Sequence, residues 1–228
     1  MPDFFRISFN SHLKSLDFRF DEPIYPENTF MPHKFVGEYC IFLNEKIPSF
    51  NPFHGYILSF KVRMKDFSQS GFGVRRGFII RNELLAQLAH SFKIPKHIIY
   101  PIKYTKGKSL EIQSDLSFVY FYQPLEKSIN FKNSRFGLRF RKDKYADGIS
   151  KKFASYEEYI DILYHKNDYL ITPLEVIVEK GHDYDLFAFQ KLFYGRFFCS
   201  TKFADFLKKE KIKGFTLTES NINLSFES

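Results

Sequence analysis

The sequence predicts an α+β fold, with a mixed, largely antiparallel sheet flanked by a few helices. Several stretches alternate apolar and charged residues with a period of two, and others carry apolar residues at helical spacing. Apolar residues make up 44% of the 228 residues, which is enough for a substantial core. We therefore expect a single domain over 1–228. Two sub-lobes, 57–125 and 126–228, each with a strand–cap–helix unit, are the alternative organisation.

Composition limits the class of protein to which this chain can belong, but it does not identify the binding partner. The net charge of +8 permits binding to nucleic acid, to an anionic membrane or to an acidic protein, and Lys and Arg are spread along the whole chain. Cys40 and Cys199 lie in apolar stretches without a second cysteine nearby, as buried thiols do in a reducing compartment. Because no signal-like start or long apolar run is present, we expect a cytoplasmic protein without a membrane partner.

The first part of the chain, 1–56, is rich in Pro and turn formers, and only 18–20 and 35–43 are predicted to be strands. From Tyr56 the pattern becomes regular. Basic residues alternate with apolar ones, which predicts a half-buried strand with a basic outer face formed by Lys61, Arg63 and Lys65. The glycines at 71–77 precede a strand rather than a helix, so a phosphate-binding loop is not expected there.

A strand–cap–helix unit follows at 78–92. Its strand, 78–80, leads to Asn82 as a helix cap and to an apolar helical stripe of Leu84, Leu85, Leu88 and Phe92. Strands are then predicted at 98–104 and 116–122. Because both faces of 116–122 are apolar, that strand should be central in its sheet.

The clearest alternation of apolar and basic residues lies in the middle of the chain. Over 135–141, Phe136, Leu138 and Phe140 point one way, and the basic side chains point the other. A helix capped by Ser155 is predicted from 156 to 164, a strand at 174–179, and an edge strand at 222–226.

A second unit at 196–214 repeats the pattern of the first. An apolar strand leads to a hydroxyl cap at Ser200 or Thr201 and to a helix whose apolar face contains Phe203, Ala204, Phe206 and Leu207. Lysines in the last turn suit the helix dipole, and Gly214 is predicted to adopt the left-handed conformation that ends the helix. The two units align from Phe78 with Phe197 without a gap, at low identity.

No catalytic constellation stands out in the sequence. Ser200 lacks the flanking glycines of a nucleophile elbow, so we expect a helix cap. The stretch His182-Asp183-Tyr184-Asp185 follows Gly181 and is predicted to be a solvated turn rather than a metal or acid/base site. We expect no enzyme activity, metal or cofactor, although an enzyme with a dispersed site is a further alternative.

The candidate partner-binding residues are the basic ones on the two alternating strands. If the strands share one sheet surface, they form a positive plate suited to carboxylates or phosphates, because the guanidinium fork matches both. A second interpretation is that these side chains simply solvate an aromatic-rich sheet. The residues are Lys61, Arg63, Lys65, Arg135, Arg139 and Arg141.

Short segments in both units resemble a known group of proteins over roughly residues 75 to 220. The segments are Asp185-Leu186-Phe187, Phe197-Phe198-Cys199-Ser200, Ile212-Lys213-Gly214-Phe215 and, earlier, Phe78-Ile79-Ile80, Leu84-Leu85 and Tyr100-Pro101-Ile102. The chain resembles the bacterial polymorphic-toxin immunity proteins, in particular immunity-protein families eleven and forty-three. The resemblance implies a non-enzymatic cytoplasmic antitoxin that binds and neutralises one cognate toxin domain. For such a protein, the net charge of +8 predicts an acidic surface on the toxin. The alternative is a nucleic-acid-binding accessory protein of a mobile element or defence system.

Overall fold

The computed structural model describes most of the chain beyond residue 65. The described residues are 4–9, 17–20, 56–60, 66–69, 77–106, 111–123, 125–140, 149–165, 169–189, 192, 196–220 and 222–227. The predicted strand at 35–43 lies outside them.

These residues form three α-helices and a series of strands. The helices are α1 (Asn82–Ser91), α2 (Tyr156–His165) and α3 (Thr201–Lys209). The strands are β1 (Phe4–Phe9), β2 (Asp17–Phe20), β3 (Tyr56–Phe60), β4 (Phe67–Gln69), β5 (Gly77–Arg81), β6 (His97–Lys106), β7 (Gln113–Phe121), β8 (Arg135–Phe140), β9 (Ile149–Lys151), β10 (Tyr169–Val178), β11 (Leu186–Ala188), β12 (Phe197–Ser200), β13 (Phe215–Glu219) and β14 (Asn223–Phe226).

The strands form three sheets. A six-stranded sheet has the order β2-β3-β6-β7-β5-β4, the β1 sheet has the order β11-β12-β1-β13, and the β10 sheet has the order β14-β10-β8-β9. Pairing is antiparallel except between β3 and β6 and between β10 and β14. This confirms the predicted α+β fold with largely antiparallel sheets. The predicted edge strand is β14.

The prediction that 116–122 lies centrally is confirmed. β7 has β5 on one side and β6 on the other, and its residues from Leu116 to Phe121 are all buried. Both faces of the strand are covered, which explains why apolar residues do not alternate with polar ones there.

The first strand was not predicted. β1 occupies the centre of the β1 sheet, between β12 and β13, so the expectation of loops before residue 18 is wrong at 4–9. Its partners are strands near the other end of the printed sequence, and no local signal identifies such a pairing.

The two strand–cap–helix units are structural counterparts. β4 pairs with β5 as β11 pairs with β12, and the units align without a gap from Asp66 with Asp185 to Leu88 with Leu207. The next two strands also correspond, because Val119 on β7 lies between Phe78 and Ile99 as Ile7 on β1 lies between Phe197 and Leu217. β1 therefore fills in the second unit the place that β7 fills in the first.

Four phenylalanine rings join the two units on an approximate two-fold axis. Phe9 lies 4.9 Å from Phe78 and 5.0 Å from Phe197, measured between ring centroids. Its counterpart Phe121 lies 6.0 Å from Phe197 and 5.9 Å from Phe78. Two of these contacts, Phe9–Phe197 and Phe78–Phe121, are edge-to-face, a geometry that adds to the free energy gained from burying the rings. One buried cluster thus contains residues of both units, including the apolar stripes of α1 and α3.

The β1 sheet is covered on its other face as well. Phe187 and Phe198 project away from the four-ring cluster into a second core with Phe136, Val176 and Tyr159. α2 packs on this core, and Ser155 caps it by accepting a hydrogen bond from the backbone N–H of Glu158 at 3.3 Å. The predicted cap of α2 is therefore confirmed.

The caps of α1 and α3 differ. Ser200 precedes α3, and its Oγ accepts the N–H of Phe203 at 3.2 Å, as predicted for a cap. The prediction that Asn82 caps α1 is wrong: Arg81 holds the cap position, although its side chain forms no hydrogen bond to the helix N-terminus, and Asn82 is the first helical residue. The side chain of Asn82 contacts β7 instead, where its Oδ1 accepts from Ser117 Oγ at 2.7 Å.

The end of α3 also differs from the prediction. The N–H of Ile212 donates to the Leu207 carbonyl at 3.0 Å, and the N–H of Lys211 donates to the Lys208 carbonyl at 3.1 Å. This is a Schellman motif, and Lys211 supplies its left-handed residue with φ of 54°. Gly214, at φ of 102°, has another role, because a Cβ there would lie 2.1 Å from the Phe67 carbonyl oxygen. It permits close contact with β4.

Candidate interaction surface

The alternation predicted for 135–141 is present in β8. Phe136 is fully buried in the second core, and Leu138 packs against it. Arg135, Gly137 and Arg139 face the other side, opposite Glu175, Thr172 and Leu170 of β10. Phe140 shares the inner side with Tyr169, at 4.3 Å between ring centroids, yet it is 49% exposed. The strand therefore has a mixed outer face that includes Arg135 and Arg139.

Arg135 is not a free cation. Its Nε lies 2.7 Å from Glu175 Oε2, and the two side chains are 52% and 34% exposed. Such a surface ion pair contributes about 0–1 kcal/mol to stability. It reduces the positive field that this arginine can present to a partner. Arg139 lies four residues further along the same face and is half-buried.

The other predicted binding residues lie outside the described part of the chain. These are Lys61, Arg63, Lys65 and Arg141. β3, which directly precedes Lys61, belongs to the six-stranded sheet, whereas β8 belongs to the β10 sheet. The described parts of these two strands thus do not share the sheet surface on which we expected both basic faces.

A denser basic surface lies at the end of α3. Lys208, Lys209, Lys211 and Lys213 are all exposed, and Glu210 is the one acid among residues 208–213. We refer to these four lysines as the lysine corner. In the sequence, the helix dipole alone explains Lys208, Lys209 and Lys211. The left-handed turn beyond Lys209, which returns the N–H of Lys211 to the Lys208 carbonyl at 3.1 Å, is a signal that only the structure supplies.

A polar network lies at the start of α1. Asp115 accepts the Tyr104 hydroxyl at 2.6 Å and an Arg81 guanidinium N–H at 2.7 Å, and Arg81 Nε also lies 3.6 Å from Asp66. Burial raises the pKa of Tyr104, and the bond to Asp115 raises it further. Tyr104 therefore stays protonated and donates. The network ties β6 and β7 to the start of α1, which is a structural role.

The stretch predicted to be a solvated turn is tied to its surroundings. His182 Nε2 lies 3.0 Å from Ser128 Oγ, and Asp183 pairs with Lys93, whose hydrogen bond lowers the pKa of that carboxyl group. Asp185 accepts the Ser200 hydroxyl at 2.7 Å. Among the described residues, no group of three or more His, Cys, Asp or Glu side chains is arranged to hold a metal ion.

Cys199 is a structural thiol, as predicted. It is fully buried in the shared core, and burial raises its pKa to about 12. A thiol with such a pKa is neutral and a poor nucleophile near neutral pH. Cys40 lies outside the described residues.

A cleft of about 490 Å³ opens beside the first turn of α2. Lys127 and Lys132 line it together with Glu157 and Glu179, so cations and carboxylates are balanced. Backbone and Ser155 hydrogen bonds lower the pKa of Glu157, which is fully exposed. Because the charges cancel, the cleft does not select an ion of either sign.

Comparisons of this chain with protein-family models, with curated proteins and with solved structures gave no significant match. In the part of the chain that the structure describes, no helix is both long and apolar enough to cross a membrane.

Proposed function

We propose that this chain is an immunity protein, which binds one cognate polymorphic-toxin domain in the cytoplasm and blocks it sterically. The supporting observation is that the segments carrying the resemblance contact one another. The Asp185 carboxylate accepts the Ser200 hydroxyl at 2.7 Å, Ser200 caps α3, and the turn after α3 returns through Gly214 to pack on β4. These residues act as a scaffold and leave the outer surfaces available to match a particular toxin.

The exposed charge supports an acidic partner. The chain carries a net charge of +8, and the exposed lysines of the lysine corner lie at the end of α3, which the scaffold holds in place. Complementary charge mainly raises the association rate, so binding to the toxin should be fast and should slow as salt is added.

Co-expression tests the proposal directly. The toxin gene next to this one is expressed with and without this chain in a sensitive host, survival is scored, and the complex is purified. We expect rescue and a stoichiometric complex. Death of the host in both cultures, together with the absence of a complex, would remove the immunity proposal.

Nucleic-acid binding is the competing function, because exposed lysines also contact phosphates. An electrophoretic mobility shift with arbitrary duplex DNA and single-stranded RNA at 50 mM and 200 mM salt separates the two. Phosphate binding requires a shift at low salt that falls steeply at the higher concentration. If neither nucleic acid shifts at low salt, this alternative is excluded.

A further inference from the structure

We infer that the lysine corner, formed by Lys208, Lys209, Lys211 and Lys213, is the docking point for an acidic protein surface. The inference rests on the proposed function and specifies which surface meets the toxin. It differs from the expectation based on β8, because Arg135 is already paired with Glu175.

The charges of the corner are largely uncommitted. Lys208 Nζ lies 3.9 Å from Asp205 Oδ1 and 5.4 Å above the ring of Phe5. Within the described residues, no acidic side chain forms an ion pair with Lys209, Lys211 or Lys213. These three exposed cations follow one another closely in the sequence and add to the positive field at the end of α3, which an acidic partner surface would offset.

The internal repeat shows that a helix at this place does not need lysines in its last turn. In the alignment of the two units, Lys208 and Lys209 correspond to Ala89 and His90 of the first unit, whereas Lys213 has Lys93 as its structural counterpart, because the N–H of each binds the aspartate of the other unit. α1 ends there without a lysine. The helix dipole favours cations only within the last turn, so it accounts for Lys208 and Lys209 but not for Lys213.

Lys211 adopts a backbone conformation that is unfavourable for a residue with a side chain. Its φ of 54° is left-handed, a region that disfavours side chains with a Cβ and in which glycine is usual at this position of a helix end. The side chain is exposed and so gains little from packing. Backbone strain of this kind is concentrated at sites of function, which supports a role for this cation in binding.

The corner fits carboxylates of a protein better than a nucleic-acid backbone. Glu210 lies in the middle of the four lysines and is exposed, so it would repel a continuous row of phosphates. In a protein–protein contact the same carboxylate can meet a cation of the partner and add specificity. The neighbouring aromatic residues Phe206 and Phe215 are half-buried and pack on the core, unlike the exposed rings on which bases stack in single-strand binding proteins.

The test compares two variants of equal net charge. The corner variant carries Lys208→Gln, Lys209→Gln, Lys211→Gln and Lys213→Gln, and the control carries Lys96→Gln, Lys132→Gln, Lys152→Gln and Lys180→Gln at other exposed lysines. The probe is the toxin domain encoded by the neighbouring gene, purified in an inactive form. We expect the corner variant to associate about tenfold more slowly than the control, with a weaker dependence on salt.

The outcomes separate this inference from the proposed function. If the wild-type protein and both variants bind the toxin equally, the immunity function stands and the lysine corner is not its docking point. If the wild-type protein neither binds the toxin nor rescues the host, both proposals fail. If the corner variant loses affinity for a 20-base-pair duplex but not for the toxin, the corner is a nucleic-acid site and the inference is overturned.

A single substitution provides a second test that does not depend on a loss of folding. Lys211→Gly relieves the left-handed strain, so the thermal unfolding midpoint should rise by roughly 2–4 °C. If the corner docks the toxin, the same variant should associate about twofold to threefold more slowly. A more stable protein with an unchanged association rate would show that Lys211 serves no binding role.

Discussion

Asp66 and Asp185 occupy equivalent places in the two units and bind across to one another's helix ends. Asp66 Oδ2 accepts the backbone N–H of Lys213, after α3, at 2.8 Å, and Asp185 Oδ2 accepts the N–H of Lys93, after α1, at 2.9 Å. Each also accepts, through its own carbonyl, the N–H of the cap residue of its own unit, Arg81 or Ser200. The two aspartates thus lock the units together reciprocally.

Replacing these aspartates should weaken the whole fold. Asp66→Ala and Asp185→Ala should each reduce the free energy of unfolding by about 1–3 kcal/mol, because backbone and side-chain donors lose their acceptor. Asp185→Ala should have the larger effect, since the Ser200 hydroxyl also donates to that carboxylate. Urea unfolding measures the free energy of unfolding of both variants. The control is Asp205→Ala, which removes an exposed pair; an equal loss in that variant would contradict the locking role.

The hydroxyl of Ser200 should matter for stability and not for chemistry. Its oxygen accepts from Phe203 N–H, so Ser200→Ala should cost about 1 kcal/mol in unfolding free energy. Rescue of a host that expresses the toxin should be unchanged as long as the variant remains folded. If rescue were lost while the unfolding midpoint stayed the same, Ser200 would have a direct functional role.

Two glycines with positive φ form a matched pair of substitutions. At Gly214 a Cβ would meet the Phe67 carbonyl at 2.1 Å, whereas at Gly181 the described residues other than its chain neighbours place no atom within 4 Å of the Cβ position. Gly214→Ala should therefore destabilise the protein by at least about 3 kcal/mol. Gly181→Ala should reduce the unfolding free energy by only about 1 kcal/mol, the cost of placing a residue with a Cβ in a left-handed backbone conformation. Thermal unfolding of both variants provides the comparison, and equal losses would refute the close contact with β4.

Stability should decline in alkaline solution partly through Cys199. Burial raises its pKa from 9.0 to about 12, so the folded state keeps the thiol proton over a range in which the unfolded state loses it. Because the unfolded state then binds fewer protons, the contribution of this thiol to the unfolding free energy is fully present below pH 9. It is lost as the pH rises from 9 to 12.

The Cys199→Ala variant isolates this contribution. Between pH 8 and pH 10 the wild-type protein should lose about 1 kcal/mol more of its unfolding free energy than the variant loses. The raised pKa of Tyr100, also due to burial, affects both proteins alike and cancels in the comparison. Equal losses in urea titrations at the two pH values would exclude the thiol as the cause.

Local patterns in the sequence sufficed to predict the local elements. The apolar stripes of α1 and α3, the caps Ser155 and Ser200, and the buried strand β7 all follow from neighbouring residues. The position of β1 and the Asp66–Lys213 bond depend on residues far apart in the sequence, where no spacing rule applies. Asn82 was assigned as the cap because its residue type suits that position, but β7 competes for its side chain.

The candidate surface was harder to predict than the fold. The alternation in β8 identified Arg135 and Arg139 as outward residues, but it could not show that Glu175 neutralises Arg135, because their strands pair across a long separation in the sequence. The lysine corner depends on the left-handed turn at Lys211, a conformation that the residue type disfavours. Sequence rules are least informative where a residue adopts a conformation that its type rarely adopts.

The place of β1 has a consequence for the order of events during synthesis. The ribosome makes Ile7 first, but its neighbours Phe197 and Leu217 emerge only after roughly 190 further residues. β1 therefore cannot find its neighbouring strands until β12 and β13 have been made. Because the four-ring cluster contains residues of both units, the shared core also closes only after Phe197 has joined the chain.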